Sequence, residues 1–436
     1  MKAPRGMHDI LPDEAPRWRA LEATVRALAA RYGYGEIRTP VVEHTEVFQK
    51  TSGETSDIVE HEMYTFVDRG GRSLTLRPEG TAGVVRAYLE HGMASQPQPV
   101  RLYYLASMFR YDRPQKGRYR MHHQFGAEII GSPSPAADVE VLSIPVRLMQ
   151  SLGLTEVLVR VNSIGDAACR PVYLAALREY FRPHASRLSQ DSRRRLDTNP
   201  MRILESKDPA DQELIPEAPV TRDYLCAECR AHFDQVKVLF EAIGIRCVED
   251  PHIVRGLDYY TRTAAEIHSG RLGGTQHQML GGGRYDGLAE QLGGPPTPGV
   301  GFGLGLERLM LVLEAEALGI PAQEAVDGAP QVFVATAGAR AEVEGFRILD
   351  RLRGAGISAV GEVAGRSLRA QMKSADRAGA RYAVIIGEQE LASAEASVRD
   401  LQTGEQEPVG LSDVVGYVAQ RTGEIARGGD PGRTGP

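Results

Sequence analysis

Between Tyr103 and Glu128 the chain reads YYLASMFRYDRPQKGRYRMHHQFGAE, and its charged and amide side chains fall at spacings suited to holding an anion. Taken with a period of two, Arg120, His122, Gln124, Gly126 and Glu128 share one strand face, and Met121, His123, Phe125, Ala127 and Ile129 share the other. The second face is apolar enough to pack. The first aims an amide and a carboxylate in the same direction. RLYYLASMFR is a second β-prone run, and Pro114 to Gly117 is turn chemistry, so the two runs read as a hairpin. Its long loop is basic, with Arg113, Lys116 and Arg118 against Asp112. An antiparallel pair with one wet face has the same pattern. Arg110, at the end of the first run and followed by that cationic loop, favours instead a site for an anionic small molecule with a polyanion behind it.

Three further stretches carry candidate chemistry. In SLTLRPEGTAGVVRAYLEH, Glu79 stands at a strand-to-helix corner with Thr81 near the helix start. An acid there serves the helix dipole, or it meets a buried ammonium, which needs a carboxylate and further acceptors. HIVRGLDYYTRTAAEIH is β-branched and aromatic and reads as a strand, with Arg255, Leu257, Tyr259 and Thr261 on one face and Gly256, Asp258, Tyr260 and Arg262 on the other. Charges inside such a run are costly to bury without partners, so it is either an exposed edge or a site. In TPGVGFGLGLERLMLVLE, glycines at 299, 301, 303 and 305 strip one strand face of side chains, which permits a flat ring to lie on the backbone. Arg308 follows in the first turn of a helix. Gly281 to Gly283 with Arg284 either line a nucleotide or make a tight connection, and nothing in the chain reads GxxxxGK[ST].

MFRYDRP…HQFGAE resembles motif 2 of class II aminoacyl-tRNA synthetases, and RPQKGRYR…HHQFGAE with RGLDYYTRT resembles the histidyl-tRNA synthetases in particular. LRPEGTA resembles the family segment that holds the substrate ammonium, and GLERL after the glycine strand resembles motif 3. The N-terminal helix followed by EIRTPVVEH, with Pro40 inside it, resembles motif 1, which forms the family's dimer interface. The resemblance implies ATP-dependent activation of L-histidine, with Mg2+, and transfer of the histidyl group to the 3′ end of tRNA-His by a homodimer. It assigns Arg110 and Arg255 as catalytic, at the α-phosphate, and Arg118 and Arg308 to the rest of ATP. Glu79, Thr81 and Gln124 would hold the α-ammonium, Glu128 with Tyr259 and Tyr260 the imidazole, and Gln115 with Arg118 the tRNA acceptor end. The alternative is a histidine-binding regulatory paralogue of a histidine-biosynthesis transferase, without charging activity. The readable motifs and the terminal domain weigh against it, while RGLDYY and HQFGAE disfavour a prolyl, glycyl or threonyl enzyme.

These residues need a frame to bring them together, and 436 residues suggest two or three domains. The expected frame is an α+β catalytic domain over residues 1–325, built on an antiparallel sheet, with a mainly helical insertion at about 166–248. Trp18, Leu21, Val25, Leu28 and Ala29 mark an amphipathic helix near its start. A linker at 326–330 leads to a strand–helix alternation over 331–422, read as a largely parallel α/β module resembling an anticodon-binding domain, and then to a disordered tail at 423–436. A net charge of −6 argues against indiscriminate nucleic-acid binding and leaves room for local basic patches. The N-terminus lacks the apolar core of a secretory signal, no apolar run reaches membrane-spanning length, and four cysteines without framework spacing fit a reducing cytosol. A cytoplasmic protein without membrane contact is expected. Cys226 and Cys229 form one CxxC with no second, and the resemblance puts a further cysteine of some relatives where this chain has Asp166, so no structural zinc is expected.

Overall fold

Strands Val100–Phe109 and Met121–Ile130 pair antiparallel, from Phe109 opposite Met121 to Val100 opposite Ile130. A computed structural model of the chain describes residues 1–52, 58–254, 258–269, 278–320, 330–361 and 366–422. It divides into two units, Met1–Gln323 and Glu324–Pro436.

In the first unit the hairpin belongs to an eight-stranded sheet. The order is Gly35–Glu36, Val100–Phe109, Met121–Ile130, Gly299–Gly305, Gln278–Arg284, Thr261–Ser269, Val157–Ser163 and Cys247–Glu249. The two outermost pairings are parallel and the rest antiparallel. The predicted apolar face holds, since Phe125, Ala127 and Ile129 are fully buried among Leu21, Val25, Leu28 and Ala29 of helix Ala15–Arg31 and the apolar side of helix Pro135–Ser151. Burial of a large apolar side chain of this kind contributes roughly 1.5–3 kcal/mol. The Ser134 hydroxyl caps the second helix by accepting the Ala136 N–H at 3.3 Å, a bond whose loss costs about 1 kcal/mol.

EIRTPVVEH is split between two sheets. Gly35–Glu36 joins the large one, and Val42–His44 joins a three-stranded sheet with Ser73–Leu76 and Tyr64–Val67. Pro40 lies in the break, where it withholds no ladder hydrogen bond. Arg77 bridges the break, its guanidinium donating to the carbonyls of Thr39 (2.8 Å) and Ser107 (2.9 Å). Segment 166–248 carries helices Arg170–Phe181, Gln190–Thr198 and Ala227–Ala242 joined by short turns. Its charge has a buried use: Asp211 accepts from the hydroxyls of Ser189 (2.7 Å), Ser192 (2.6 Å) and Ser206 (2.6 Å).

The second unit is a five-stranded sheet in the order Ala359–Gly361, Val332–Thr336, Tyr382–Ile386, Glu395–Asp400, Gln406–Gly410. The first three are parallel, as alternation predicts, and the last two are antiparallel. The added hairpin turns on Asp400, whose carboxylate accepts the N–H groups of Gln402 (2.8 Å) and Thr403 (3.1 Å). The linker at 326–329 and the tail at 423–436 lie outside the described residues. Among the described residues, no helix is long and apolar enough to cross a membrane.

Candidate active site

Glu79 sits just before helix Thr81–Glu90, with Oε2 accepting the Thr81 N–H at 2.6 Å and Oε1 the Ala82 N–H at 2.9 Å. The helix-dipole and site readings therefore coincide, because the capped acid also lines a cleft shared with Thr81, Tyr104, Gln124, Tyr259 and Tyr260. Burial pushes its carboxyl up, against the pull of those N–H groups and of Arg110.

Glu128 lies one layer deeper and is fully buried. Its Oε1 accepts the Thr81 hydroxyl at 2.7 Å and its Oε2 the Tyr285 hydroxyl at 2.6 Å. Burial raises its pKa to about 8; the two hydroxyls oppose the rise and the Glu79 charge adds to it.

The alternating glycines make this depth possible. Gly301 faces Glu128 and Gly305 faces Gln124 across the strand pair. A Cβ at Gly301 would lie 1.6 Å from Glu128 Oε2, and one at Gly303 would lie 2.4 Å from Gln124 Nε2. The bare face expected to receive a flat ring is thus occupied largely by side chains of the neighbouring strand. Tyr104 uses two more glycines: a Cβ at Gly80 or Gly126 would fall 2.3 Å or 2.1 Å from its ring carbon Cζ.

Tyr259 and Tyr260 precede the strand, which begins at Thr261 rather than upstream of Arg255. The β-propensity of residues 258–260 is overridden here, and the rings of Tyr259 and Tyr260, their centroids 4.7 Å apart, line the cleft. Arg255 lies outside the described residues.

The cleft's mouth is cationic. Arg110 donates through Nε to the Pro78 carbonyl at 2.8 Å, and Arg308 donates to the carbonyls of Gly117 (3.1 Å) and Gln278 (2.8 Å). Arg118 lines the same mouth but is paired with Asp112 and, at 3.7 Å, with Glu62. Burial first, then the charges of Arg118 and Arg110, lower the pKa of Arg308. His122 stands among them; burial together with Arg110 and Arg308 lowers its pKa to about 3, so it is neutral near pH 7. Gln115 is exposed on a tight turn in which its N–H and that of Arg118 donate to each other's carbonyls at 3.1 and 2.9 Å. The expected long basic arm is folded back by this turn. Arg284 does not face the cleft: it is fully buried against Asp138, Asp286 and the carbonyls of Ser132 and Ser134, so the nucleotide reading does not hold for its side chain. Gly281, from the same run, does line the cleft.

Sequence reasoning missed Tyr104, His122 and Tyr285. Tyr285 follows directly on the Gly281–Gly283 run, a signal for a side chain turned inward. His122 was visible on the polar face of its strand, but its closeness to two arginines was not. Among the described residues, one group of potential metal ligands, Asp166, Cys169, Cys226 and Cys229, gathers outside those that line the cleft.

Residues 6–309 match the family model for histidyl-tRNA synthetase, and residues 331–421 match the anticodon binding domain. The chain belongs to the histidyl-tRNA synthetase family. Similar relatives include the histidine–tRNA ligase of Desulforamulus reducens, 50% identical over 96% of this chain and 99% of the relative. That of Moorella thermoacetica is 51% identical over 95% of this chain and 97% of the relative. The crystal structure of the apo S. aureus histidyl-tRNA synthetase superposes with a TM-score of 0.78 at 41% identity, covering 96% of this chain and 99% of that one. Membership makes this a class II aminoacyl-tRNA synthetase, whose α+β fold ends in an anticodon-binding domain.

Proposed function

We propose that the acid-lined floor and cationic mouth of this one cleft divide the work of histidine–tRNA ligation between them. The enzyme activates L-histidine with ATP and passes the histidyl group to the 3′ end of tRNA-His. In the first step a carboxylate oxygen of histidine attacks the α-phosphorus. One O–P bond forms, the bond to the β-phosphate oxygen breaks, and its electron pair leaves with pyrophosphate. Two anions must meet while charge builds on phosphoryl oxygens, so cations and positioning matter more than an acid or base.

Arg110 and Arg255 act at the α-phosphate, and Arg308 with Arg118 on the outer phosphates, where Mg2+ arrives with the nucleotide as part of the substrate. Glu79, Thr81 and Gln124 hold the ammonium. Glu128, Tyr259 and Tyr260 read the imidazole, and an isostere lacking its nitrogens would leave buried polar groups unpaired. Gln115 and Arg118 meet the acceptor end of the tRNA, and the C-terminal unit meets its anticodon. The enzyme works in the cytoplasm as a homodimer; exposed Val42, Phe66 and Val67 on the three-stranded sheet, with Val41 beside them in sequence, support an apolar contact there.

The observation that carries this reading is Arg308, a half-buried cation crowded by two others beside a floor of buried acids. The test is ATP–pyrophosphate exchange across twenty amino acids, followed by charging of transcribed tRNA-His. Histidine alone should support exchange and charging. Histidine binding without exchange would instead establish the regulatory paralogue.

A further inference from the structure

The four cysteines are not equivalent. Cys247 lies on its own short strand, whereas Cys169, Cys226 and Cys229 converge with Asp166, and the four candidate ligand atoms lie within 4.8 Å of one another. Two turns build the cluster. In the first, Gly165 has φ +68°, and a Cβ there would come within 2.8 Å of Cys169 Sγ, so the position is shaped around that sulfur. The Asp166 N–H donates to Cys169 Sγ at 3.4 Å, and Asp166 Oδ1 accepts the N–H groups of Ala168 (3.0 Å) and Cys169 (3.3 Å). In the second, the Cys229 N–H donates to Cys226 Sγ at 3.4 Å.

Cys169 and Cys226 are also the N-caps of helices Arg170–Phe181 and Ala227–Ala242. Two helix N-termini and two N–H donors are thus turned towards the sulfurs, and the four ligand atoms converge from both turns. We propose that Asp166, Cys169, Cys226 and Cys229 bind one zinc ion in a closed tetrahedral site.

The donor set selects the metal. Three sulfurs exclude the oxygen-seeking cations Mg2+ and Ca2+. Zn–S bonds of about 2.3 Å put tetrahedral ligands about 3.8 Å apart, a small contraction from the observed cluster. A multi-iron cluster would hold its thiolates farther apart. Binding releases three thiol protons to solvent and leaves two net negative charges. Arg262 Nη2, 3.4 Å from Asp166 Oδ2, and Arg170, next to Cys169, offset them. A Cys226–Cys229 disulfide would use two of the sulfurs and leave the approach of Cys169 and Asp166 without a purpose.

The site fastens two helices of segment 166–248 to the backbone that carries the cleft tyrosines. Arg170 donates to the carbonyls of Tyr260 and of Gly165, the latter at 3.3 Å, and the Arg262 N–H donates to the same Gly165 carbonyl at 2.8 Å.

The test is zinc content by plasma mass spectrometry of the full chain, purified without chelator, with thiol titration by a mercurial to release the ion. One zinc per chain is expected, retained in Cys247→Ser and lost from Cys229→Ser. Should that variant fail to fold, the wild-type chain stripped and refilled with Co2+ should show thiolate-to-cobalt charge-transfer bands of tetrahedral geometry. Those bands should strengthen in Asp166→Cys. A wild-type chain that takes up neither ion, zinc that persists when Cys169, Cys226 and Cys229 are all serine, or an intact mass short of two hydrogens from a Cys226–Cys229 disulfide would each overturn the proposal.

Discussion

The floor and the mouth of the cleft are held in opposite ways. On the floor, Glu79 and Glu128 already have a protein donor on every carboxylate oxygen: two helix N–H groups for one, two hydroxyls for the other. At the mouth, the hydrogen bonds of Arg110 and Arg308 among the described residues run to backbone carbonyls, which orient a guanidinium without cancelling its charge. The floor is therefore ordered before a ligand arrives and discriminates by shape and by the further hydrogen bonds its oxygens can accept. The mouth holds cations that repel one another, a repulsion that Asp112 offsets in part and a polyanion relieves further. Residue types alone reveal the two sets; how each set is supported reveals which is preformed.

The contrast can be broken most directly at the mouth. Arg110→Ala, and likewise Arg255→Ala, should lower the rate of adenylate formation about 10³-fold, the scale of removing a charge-stabilising donor. Histidine KM should stay within a few-fold and the melting temperature should be unchanged. A histidine KM that rises as far as the rate falls would erase the distinction. On the floor, Gly301→Ala forces a Cβ onto the Glu128 carboxylate and should destabilise the enzyme by about 1–3 kcal/mol in urea denaturation. Histidine KM should rise with it while ATP KM holds.

Glu128→Gln should weaken histidine binding about tenfold and ATP binding little, measured by calorimetry. It also carries a pH signature. The folded Glu128 keeps its proton up to about pH 8, while the unfolded chain releases it in the ordinary carboxylate range. Wild-type stability should therefore fall as pH rises through that window. The variant should lack this part of the slope and gain on the wild type between about pH 5 and 8. An equal gap at both ends would mean that the carboxyl is not held protonated. The smallest effect expected is from salt: raising ionic strength from about 0.05 to 0.3 M should raise ATP KM several-fold and leave histidine KM nearly constant.

Much of this was legible in the sequence, and the reasons differ from place to place. The hairpin was readable because Phe125, Ala127 and Ile129 alternate with Gln124, Gly126 and Glu128, a period only a strand produces. The three parallel strands of the second unit were readable as apolar runs between helical stretches. The hairpin over Glu395–Gly410 was not, because charge is spread through it and its turn rests on the Asp400 side chain. Periodicity could not say that Gly301 and Gly303 clear space for the side chains of Glu128 and Gln124, since that depends on the register between strands far apart in sequence. For the same reason one CxxC concealed its meeting with Cys169 and Asp166.

The wedging of Tyr104 between Gly80 and Gly126 has a geometric consequence. Gly80 separates Glu79 from Thr81, and Gly126 separates Gln124 from Glu128 on alternate strand positions. A phenol ring pressed against both backbones works as a gauge block, so the span between the two groups of substrate holders equals the width of an aromatic plate. That dimension is rigid, because a ring has no rotamer that shortens it, and it sizes the chamber in which an amino acid must fit.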